Sequence, residues 1–394
     1  MHFALELISD IFVLIVGFVA LSFVILFFVD RFQTADTVRR NYPVIGRMRN
    51  ILSELGEFFR QYFFAMDREE MPFNRAQREW VNEASTGEST NVAFGSTRSL
   101  EPVGTPIFVN CPWPLLDRDA AESRPMCIGE GAARIPYDAP SFFNISGMSY
   151  GALSKPAVTA LSHGAAKAGC WMNTGEGGLS PFHLEGGCDL VFQLGTAKYG
   201  VRDDDGNLSD DKLREIAAHE QVRMFEIKLS QGAKPGKGGI LPAEKVSAEI
   251  AAIRGIREGE ASISPNRHPD ISNTEELLDK IAHIREVTGK PVGFKTVVGA
   301  YGWLENLFSE INRRGTESAP DFITVDSGDG GDGAAPLALI DNVGLTLREA
   351  LPMMVDLRNK AGLKERIRIV ASGKLVNPSE VAWALCAGAD FTIS

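Results

Sequence analysis

The sequence lacks the patterns that identify several common functional classes. Its cysteines are odd in number and scattered, with no Cys-x-x-Cys pair, so neither a disulfide framework nor a zinc site is indicated: Cys111, Cys127, Cys170, Cys188 and Cys386. His163, His183 and His268 show no metal-ligand spacing, and we expect them to be structural. A net charge of −11 without a basic stripe argues against a nucleic-acid-binding protein. No Gly-x-Gly-x-x-Gly both follows a predicted strand and opens a helix with an acidic residue downstream, so no nicotinamide-binding fingerprint is visible.

Long apolar runs are also missing, with one exception near the N-terminus. Ile11–Val29 contains no charged residue and is long enough to cross a bilayer. Acidic residues precede this run, whereas a cleaved signal peptide has basic residues before it and a small-residue cleavage site after it. Positive charges lie only on its C-terminal side, at Arg31, Arg39, Arg40, Arg47 and Arg49. We therefore predict a retained single-pass membrane anchor at residues 1–31, with the rest of the chain on the cytoplasmic side.

Residues 32–140 are predicted to form a helical and irregular extension. Six apolar residues recur at helical spacing, which indicates an amphipathic helix: Ile51, Leu52, Leu55, Phe58, Phe59 and Tyr62. This face could lie on the membrane surface or pack on the main domain, and its bulky aromatics favour core packing. The stretch 93–137 is rich in Gly and Pro, and we expect irregular structure with a few short strands such as Pro106–Val109.

From residue 141 to 394 the chain alternates short apolar strands with helical segments, which is typical of a parallel α/β fold. The predicted strands are Phe143–Ser146, Cys170–Asn173, Phe225–Lys228, Val292–Lys295, Phe322–Val325, Ile367–Val370 and Phe391–Ile393. The predicted helices are Lys155–Ala168, Ala243–Arg257, Thr274–Val287, Gly302–Arg313, Leu345–Lys360 and Pro378–Ala387. Glycine-rich and charged loops follow nearly every strand, whereas a doubly wound sheet concentrates them at one or two switch points. The sequence therefore predicts a (β/α)₈ barrel with its site at the C-terminal ends of the strands.

The stretch Phe225–Gly239, FEIKLSQGAKPGKGG, is the most informative part of the chain. Alternation of apolar and polar residues predicts a strand with one buried face, which ends in a loop carrying Lys228, Lys234 and Lys237. Three ammonium groups so close together repel one another unless an anion lies among them, although a solvated loop would account for a lone KPGKGG. Glu176, in a second glycine-rich loop, either faces a ligand or caps a helix.

Taken together, these loops carry a family resemblance. The blocks SGMSYGALSKPA, NTGEGG, EIKLSQGAKPGKGG, HPDI, SGDGGDGAAP and ASGKL occur in order between Phe142 and Ser394. This part of the chain resembles the flavin-binding synthase domain of glutamate synthase. The N-terminal part resembles the short, membrane-anchored branch of that family, which has no glutaminase domain.

The resemblance implies a barrel of the FMN-dependent type that forms L-glutamate from 2-oxoglutarate by way of 2-iminoglutarate, with hydride from the flavin N5. Lys295 is implied to stabilise the reduced flavin. The residues implied to bind FMN are Gly147, Met148, Ser149, Lys295, Gly330, Gly331, Gly333 and Gly373. Lys228, Lys234 and Arg254 are implied to bind the two carboxylates of 2-oxoglutarate. Glu176 is implied to steer ammonia or to protonate the intermediate, so that the catalytic set is Glu176, Lys228 and Lys295.

Two departures from the family pattern qualify these implications. Ile240 occupies the position of a family glutamine that contacts the oxo-acid, so the substrate could be a relative of 2-oxoglutarate. The sequence ends at Ser394, before the cysteines that hold an iron–sulfur cluster in the family, so we expect a truncated chain and assign no cluster and no metal. Two alternatives stay open: another FMN-dependent oxidoreductase or isomerase acting on a different anion, and a non-catalytic anchored subunit. The expected partners are an ammonia source, a separate redox donor protein or glutaminase subunit, and the membrane, with no nucleic acid.

Overall fold

A computed structural model describes residues 2–88, 90–232, 234, 236–333 and 335–394, with the backbone alone for residues 2–5. Ala233, Pro235 and Ala334, which belong to the lysine loop and the glycine loop, lie outside the described residues. The chain divides into two units, Met1–Val103 and Gly104–Ser394. The domain bounds 1–31, 32–140 and 141–394 stay predictions.

The first unit is helical. Its elements are α1 (His2–Phe32), α2 (Thr37–Asn41), α3 (Ile45–Phe59), a π-helical turn (Arg60–Phe64) and α4 (Arg75–Thr86). Within α1, the segment Glu6–Phe32 contains an 18-residue stretch with a mean hydropathy of 3.1 and is long and apolar enough to cross a membrane. Asn74 and Gln77 form a capping box that fixes the start of α4.

A buried ion pair joins the end of α1 to the start of α3. The Asp30 side chain, 1% exposed, accepts hydrogen bonds from Arg47 Nε at 2.8 Å and Arg47 Nη2 at 2.7 Å. The backbone N–H of Val44 also donates to Asp30, at 3.0 Å. Because a buried carboxylate is tolerated only when it is paired and hydrogen-bonded, this contact fixes α3 against the C-terminal end of α1.

The amphipathic helix is present, and within the first unit its apolar face is exposed. Ile51, Leu52, Leu55, Phe58 and Tyr62 are each 45–59% exposed. Packing of this face on the main domain stays a prediction.

The described part of the second unit contains twelve short strands. Those outside the barrel are β1 (Met126–Ile128), β2 (Tyr137–Ala139), β7 (Ile240–Leu241) and β8 (Ser262–Ile263), which form two antiparallel ribbons, β1–β2 and β7–β8. The barrel strands are β3 (Phe143–Gly147), β4 (Met172–Asn173), β5 (Leu190–Leu194), β6 (Val222–Lys228), β9 (Val292–Val297), β10 (Phe322–Asp326), β11 (Arg368–Ser372) and β12 (Phe391–Ile393). Pro106–Val109, predicted as a short strand, adopts no regular structure, and Ile107 and Val109 are exposed.

The eight barrel strands form a closed parallel barrel in the order β3-β4-β5-β6-β9-β10-β11-β12, and β12 pairs with β3. The helices of this unit are α5 (Lys155–Ala168), α6 (Pro181–Leu184), α7 (Asp210–Ala218), α8 (Ala248–Arg254), α9 (Thr274–Thr288), α10 (Gly302–Arg314), α11 (Leu337–Ile340), α12 (Leu347–Lys360) and α13 (Pro378–Cys386). The outer layer packs by burying apolar side chains such as Leu278, Phe308 and Met354. Each such side chain contributes about 1.5–3 kcal/mol to stability when fully buried. The predicted barrel is confirmed.

The interior of the barrel changes from apolar to polar along the strands. Trp171, Met224, Phe322 and Phe391 belong to an apolar cluster that includes the β1–β2 ribbon. Phe225, by contrast, packs in the helix-facing core. Because side chains alternate along a strand, Met224, Glu226 and Lys228 share one face of β6. β6 is therefore buried on both faces, and the prediction of a single buried face is wrong, because the polar face of a barrel strand points into the barrel rather than to solvent.

Candidate active site

The predicted cations and Glu176 converge at the C-terminal ends of the strands. We call this region the barrel mouth and define it by Glu176, Lys228, Lys234, Arg254, Lys295, Asp326 and Asp332. Two of its lysines are neighbours on adjacent strands, since Lys228 of β6 lies opposite Lys295 of β9. Lys295 Nζ lies 3.3 Å from Asp326 Oδ2, and Asp326 also accepts the hydroxyl of Ser372 at 2.7 Å. The carboxylate of Asp326 therefore offsets the repulsion between the two ammonium groups.

Glu176 projects from the loop after β4 into this group of cations. Its Oε1 atom lies 2.9 Å from Lys228 Nζ, and Lys228 also donates to Gln231 Oε1. Burial by itself raises the pKa of the Glu176 carboxyl, but Lys228, Lys234 and Arg254 outweigh burial and hold that pKa below its usual value. Burial also lowers the pKa of the Lys228 ammonium, although Glu176 opposes this shift. Glu176 thus stays ionised, and Lys228 loses its proton more readily than an ordinary lysine.

Two glycines leave the room that Glu176 occupies. A Cβ atom added at Gly195 would lie 2.7 Å from the Cβ of Glu176, and one added at Gly239 would lie 3.0 Å from its Oε1. The loops after β5 and β6 thus approach the carboxylate closely because they have glycine, with no side chain, at these two positions. This agrees with Glu176 facing the site. Within the part of the chain that the structure describes, its side chain caps no helix.

The lysine loop contributes one further buried cation. Lys234, 8% exposed, lies 2.5 Å from Asp332 Oδ2, which ties the loop after β6 to the loop after β10. Lys237, in contrast, is exposed. Of the three lysines that the sequence singled out, Lys228 and Lys234 join the buried cluster and Lys237 does not.

Arg254, the last residue of α8, is buried with an incompletely satisfied guanidinium. It is 6% exposed and lies 5.0 Å from the centre of the Tyr199 ring, and its Nη2 donates to the carbonyl of Tyr150 at 3.4 Å. Its Nε has no hydrogen-bond partner, although it is fully buried. A buried donor without a partner costs about 1–3 kcal/mol. An anion bound at the mouth would remove that cost.

The residues expected to contact FMN lie directly beside the Glu176 loop. The Met148 N–H donates to Asn173 O at 3.1 Å, and a Cβ at Gly175 would lie 2.7 Å from Ser149 N. Gly147 faces the amides of Asn173 and Gln193, which would each be 3.3 Å from a Cβ placed there. The first strand loop and the loop that carries Glu176 therefore form one continuous wall.

A buried carboxylate that the sequence reading missed organises this wall. Glu226, 1% exposed on the inner face of β6, accepts from Asn173 Nδ2 at 2.8 Å, Gln193 Nε2 at 2.7 Å and Thr324 Oγ1 at 2.5 Å. With its amide nitrogen directed to Glu226, Asn173 accepts the Gly175 N–H on its Oδ1 at 2.9 Å. Glu226 thus reaches the Glu176 loop through Asn173. The sequence did contain a signal for Glu226. Side chains alternate between the two faces of β6, so Glu226 lies on the same face as Lys228.

The glycine loop after β10 carries two carboxylates, and each is paired with a lysine from another loop. Lys374 lies 3.1 Å from Asp329, just as Lys234 pairs with Asp332. Gly373 requires a left-handed backbone, with φ +109°, and a Cβ there would lie 2.5 Å from that of Ser327. A Cβ at Gly331 or Gly333 would meet no atom within 4 Å, and at Gly330 it would approach Ser327 O to 3.0 Å. A phosphate in this loop would compete with Asp329 and Asp332 for their lysines, and the phosphate-binding roles stay predictions.

A cleft opens beside the Glu176–Lys228 pair. Its walls include Thr196, Ser230 and Asn266. Ile240 is not among the lining residues, and its side chain is 53% exposed in β7. The effect of the residue at position 240 on substrate choice stays a prediction.

The buried histidines form hydrogen bonds with backbone carbonyl groups. His183 Nε2 lies 2.8 Å from Met148 O, and His268 Nε2 lies 3.0 Å from Lys228 O. His163 is exposed and lies 3.7 Å from Glu185. Among the described residues, no group of three or more His, Cys, Asp or Glu side chains could hold a metal ion.

The chain is similar to several known proteins. The family profile described as a conserved region in glutamate synthase matches residues 115–394. The "glutamate synthase large subunit-like protein YerD" of Bacillus subtilis is 38% identical over 96% of this chain and 79% of its own length. The "archaeal-type glutamate synthase [NADPH]" of Dehalococcoides mccartyi is 35% identical over 65% of this chain, which spans 47% of that relative. The protein named "archaeal glutamate synthase [NADPH]" from Methanocaldococcus jannaschii is 35% identical over 62% of this chain, and the match spans 45% of its length.

Solved structures with a similar fold are more distant. A mandelate oxidase variant matches with a TM-score of 0.40 and 18% identity over 65% of both chains. A flavocytochrome b2 variant matches with a TM-score of 0.42 and 14% identity, over 65% of this chain and 57% of that one. Likenesses of this size add nothing about the reaction. The sequence profile and the similarity to YerD establish that the chain belongs to the glutamate synthase family, whose named members are oxidoreductase enzymes.

Proposed function

We propose that the second unit is an FMN-dependent oxidoreductase that converts 2-oxoglutarate and ammonia to L-glutamate through 2-iminoglutarate. The observation that carries the proposal is the placement of Glu176 against Lys228, with Lys234 and Arg254 close enough to lower its pKa. This arrangement provides an ionised carboxylate and three buried cations in one opening, which suits a small dicarboxylate and ammonia.

The charges of the mouth favour a dianion. Its described residues include four cations (Lys228, Lys234, Lys295 and Arg254) against three carboxylates (Glu176, Asp326 and Asp332). A substrate carboxylate would take the place of Asp332 at Lys234 and would satisfy the free Nε of Arg254. Paired contacts of this kind are stronger than neutral hydrogen bonds and fix orientation.

The residues present fit a bound FMN. Lys295 is buried with its ammonium at the mouth, and Gly147 leaves space in front of the Asn173 and Gln193 amides. Gly147, Met148, Ser149 and Lys295 would hold the ring system, and Gly373, with Gly330, Gly331 and Gly333, would approach the phosphate. When bound, FMN supplies the hydride that reduces the imine carbon.

Two side chains of the mouth are suited to forming the imine. Ionised Glu176 attracts ammonium and orients the ammonia that remains after the ion loses a proton to solvent, so that its nitrogen faces the keto carbon. Forming the imine moves two protons from the ammonia nitrogen to the keto oxygen, which then leaves as water. Lys228, whose pKa is lowered by burial, gives its proton to that oxygen and regains one from the nitrogen at each transfer. A carboxyl with a lowered pKa is a poor acid near neutral pH, so Glu176 is assigned to ammonia and Lys228 to the departing oxygen.

The direct test is anaerobic reduction of the flavin in the purified full-length protein, followed by 2-oxoglutarate and ammonium. We expect reoxidation with one glutamate formed per flavin. Protein without flavin would indicate a non-catalytic subunit. Reduced flavin that persists without glutamate would indicate a different anionic substrate.

The cation cluster is tested by Lys228→Met and Lys234→Met. Each should weaken 2-oxoglutarate binding at least tenfold, about 1.4 kcal/mol, while the FMN content stays unchanged. Lys245→Met is the matched control, because Lys245 is an exposed lysine of the same segment outside the mouth. Equal affinity in all three variants would contradict the assignment.

We further propose that α1 anchors the protein in the membrane as a single pass, with the barrel on the cytoplasmic side. The length and hydropathy of Glu6–Phe32 and the arginines that follow support this orientation. A cleaved signal sequence would pass the same hydropathy test, so the N-terminal sequence of the mature protein and its resistance to alkaline extraction distinguish the two. Ammonia and electrons would come from separate partners, a glutaminase subunit or free ammonium and a redox donor protein.

A further inference from the structure

We propose that α3 and the π-helical turn after it form a second membrane contact, lying in the headgroup region of an anionic bilayer. The surface concerned, which we name the interfacial stripe, consists of Met48, Ile51, Leu52, Leu55, Phe58, Phe59, Tyr62 and Phe63. The inference rests on the proposed insertion of α1. It adds that α3 lies along the membrane surface, whereas α1 crosses the membrane.

The side chains of the interfacial stripe are apolar, and within the first unit they are exposed. Its residues follow one another at spacings of three and four, so they share one side of the helix. Each is between 42% and 67% exposed in the part of the chain that the structure describes. The aromatic rings contact one another, with 5.0 Å between the centres of Phe58 and Tyr62 and 5.7 Å between those of Phe59 and Phe63. Contiguous apolar patches of this kind mark interaction sites.

Continuity with α1 identifies lipid as the occupant. The Asp30–Arg47 ion pair and the Val44 N–H bond hold the start of α3 against the last turn of the apolar α1. If α1 crosses the bilayer, Asp30 lies near the end of the span, and α3 therefore begins at the level of the lipid headgroups. A helix with an apolar side at that level is stabilised by lying in the interface.

Charge complementarity favours anionic lipid. Arg31 and Arg49 are exposed next to the ion pair, and Arg40 is half-buried between them along the chain. A basic residue near an anionic surface contributes about 1 kcal/mol. The acidic residues of α3, Glu54 and Glu57, lie about half a turn away from Leu52 and Phe59 respectively, on the polar side.

The test places tryptophan on the two sides of α3 in the full-length chain. Phe59→Trp and its matched control Glu57→Trp are reconstituted in vesicles of phosphatidylcholine and phosphatidylglycerol, with lipids brominated near the headgroup as quenchers. The emission of the native tryptophans is subtracted using the parent protein. Leu52→Trp and Glu54→Trp form a second matched pair for use if a variant of the first pair fails to fold.

We expect the Phe59→Trp emission to be blue-shifted and quenched at least twofold, and the Glu57→Trp emission to be affected little. The quenching should fall in vesicles of phosphatidylcholine alone, and equal quenching in both lipids would overturn the anionic preference. Blue-shifted but unquenched emission would mean that the stripe packs on protein, including a second copy of the chain, and would overturn the proposal. Protein that does not float with the vesicles would refute the insertion of α1 itself, which separates the two failures.

Discussion

Among single residues, Glu176 affects both the net charge of the mouth and the protonation of Lys228. It lowers the net positive charge that attracts a dicarboxylate, and it also opposes the loss of the Lys228 proton. These effects act on different steps, since the first concerns binding and the second concerns chemistry. A single substitution can therefore separate them.

We predict that Glu176→Gln binds 2-oxoglutarate as tightly as the parent protein or up to tenfold more tightly, because one negative charge leaves a cationic site. Turnover should fall at least a hundredfold, because the neutral amide no longer attracts and orients the ammonium ion. Calorimetric binding and single-turnover reoxidation measure the two quantities. Glu185→Gln, at an exposed glutamate, is the control, and weakened binding with normal turnover would contradict both roles of Glu176.

The sequence identified Glu176, Lys228, Lys234 and Arg254 as a group, and the structure places them together. Glu176, Lys228 and Lys234 stand out in the sequence as charges in glycine-rich loops, whereas Arg254 was implied only by the family resemblance. The carboxylates that pair with the lysines were missed, because Asp326 and Asp332 look like ordinary turn residues inside a glycine run. Which carboxylate meets which lysine depends on strand order around the barrel, and no local pattern contains that information.

For the structural elements, β6 connects the core to the mouth through Glu226. We predict that Glu226→Gln lowers the free energy of unfolding by about 1–3 kcal/mol, because one of its three buried donors loses its acceptor. Urea unfolding with an unchanged m-value measures this. Thr324→Val, which removes one donor and leaves Glu226 with the two amides, should cost less, and the reverse order of the two costs would contradict the central position of Glu226.

A second link between elements is sensitive to acid. Asp270 lies 3.0 Å from Lys198 and 2.7 Å from Lys280, and although burial opposes the shift these lysines lower its pKa to about 2. Because the folded-state pKa is below the unfolded value, the stabilisation is complete above about pH 4 and is lost as the pH falls toward 2. The difference in urea midpoint between the parent protein and Asp270→Asn should therefore shrink from pH 5 to pH 3. A constant difference would show that the ion pairs do not contribute.

Element prediction succeeded for most helices and strands, but it missed one strand of the barrel and the helix α7. Helices α5, α9 and α10 were predicted to within a residue of their bounds. β5, Leu190–Leu194, was missed because a fully buried run shows no alternation. The predicted helix Ala243–Arg257 shortens to α8, because Ser247 caps its start and Gly255 ends it in a left-handed conformation.

For the whole molecule, the reactivity of each cysteine thiol reports whether that part of the fold is buried from solvent. Burial raises the pKa of Cys170 to about 11, and Cys188 is buried as well, with its pKa raised by the same cause. We predict that Cys111 and Cys386 react rapidly with a thiol reagent at pH 8, and that Cys170 and Cys188 react only after denaturation. Cys111→Ser should remove one fast-reacting thiol. Rapid labelling of Cys170 in the native protein would contradict the closed barrel.

Because strands from both halves of the sequence close the barrel, neither half can form the mouth alone. Glu176 lies before the exposed Asp204–Asp205 turn, whereas Lys228, Lys234, Arg254 and Lys295 lie after it. Fragments separated at that turn would each carry charges without their partners. Substrate binding would return only when the two pieces reassociate, so the protein is suited to serve as its own complementation reporter.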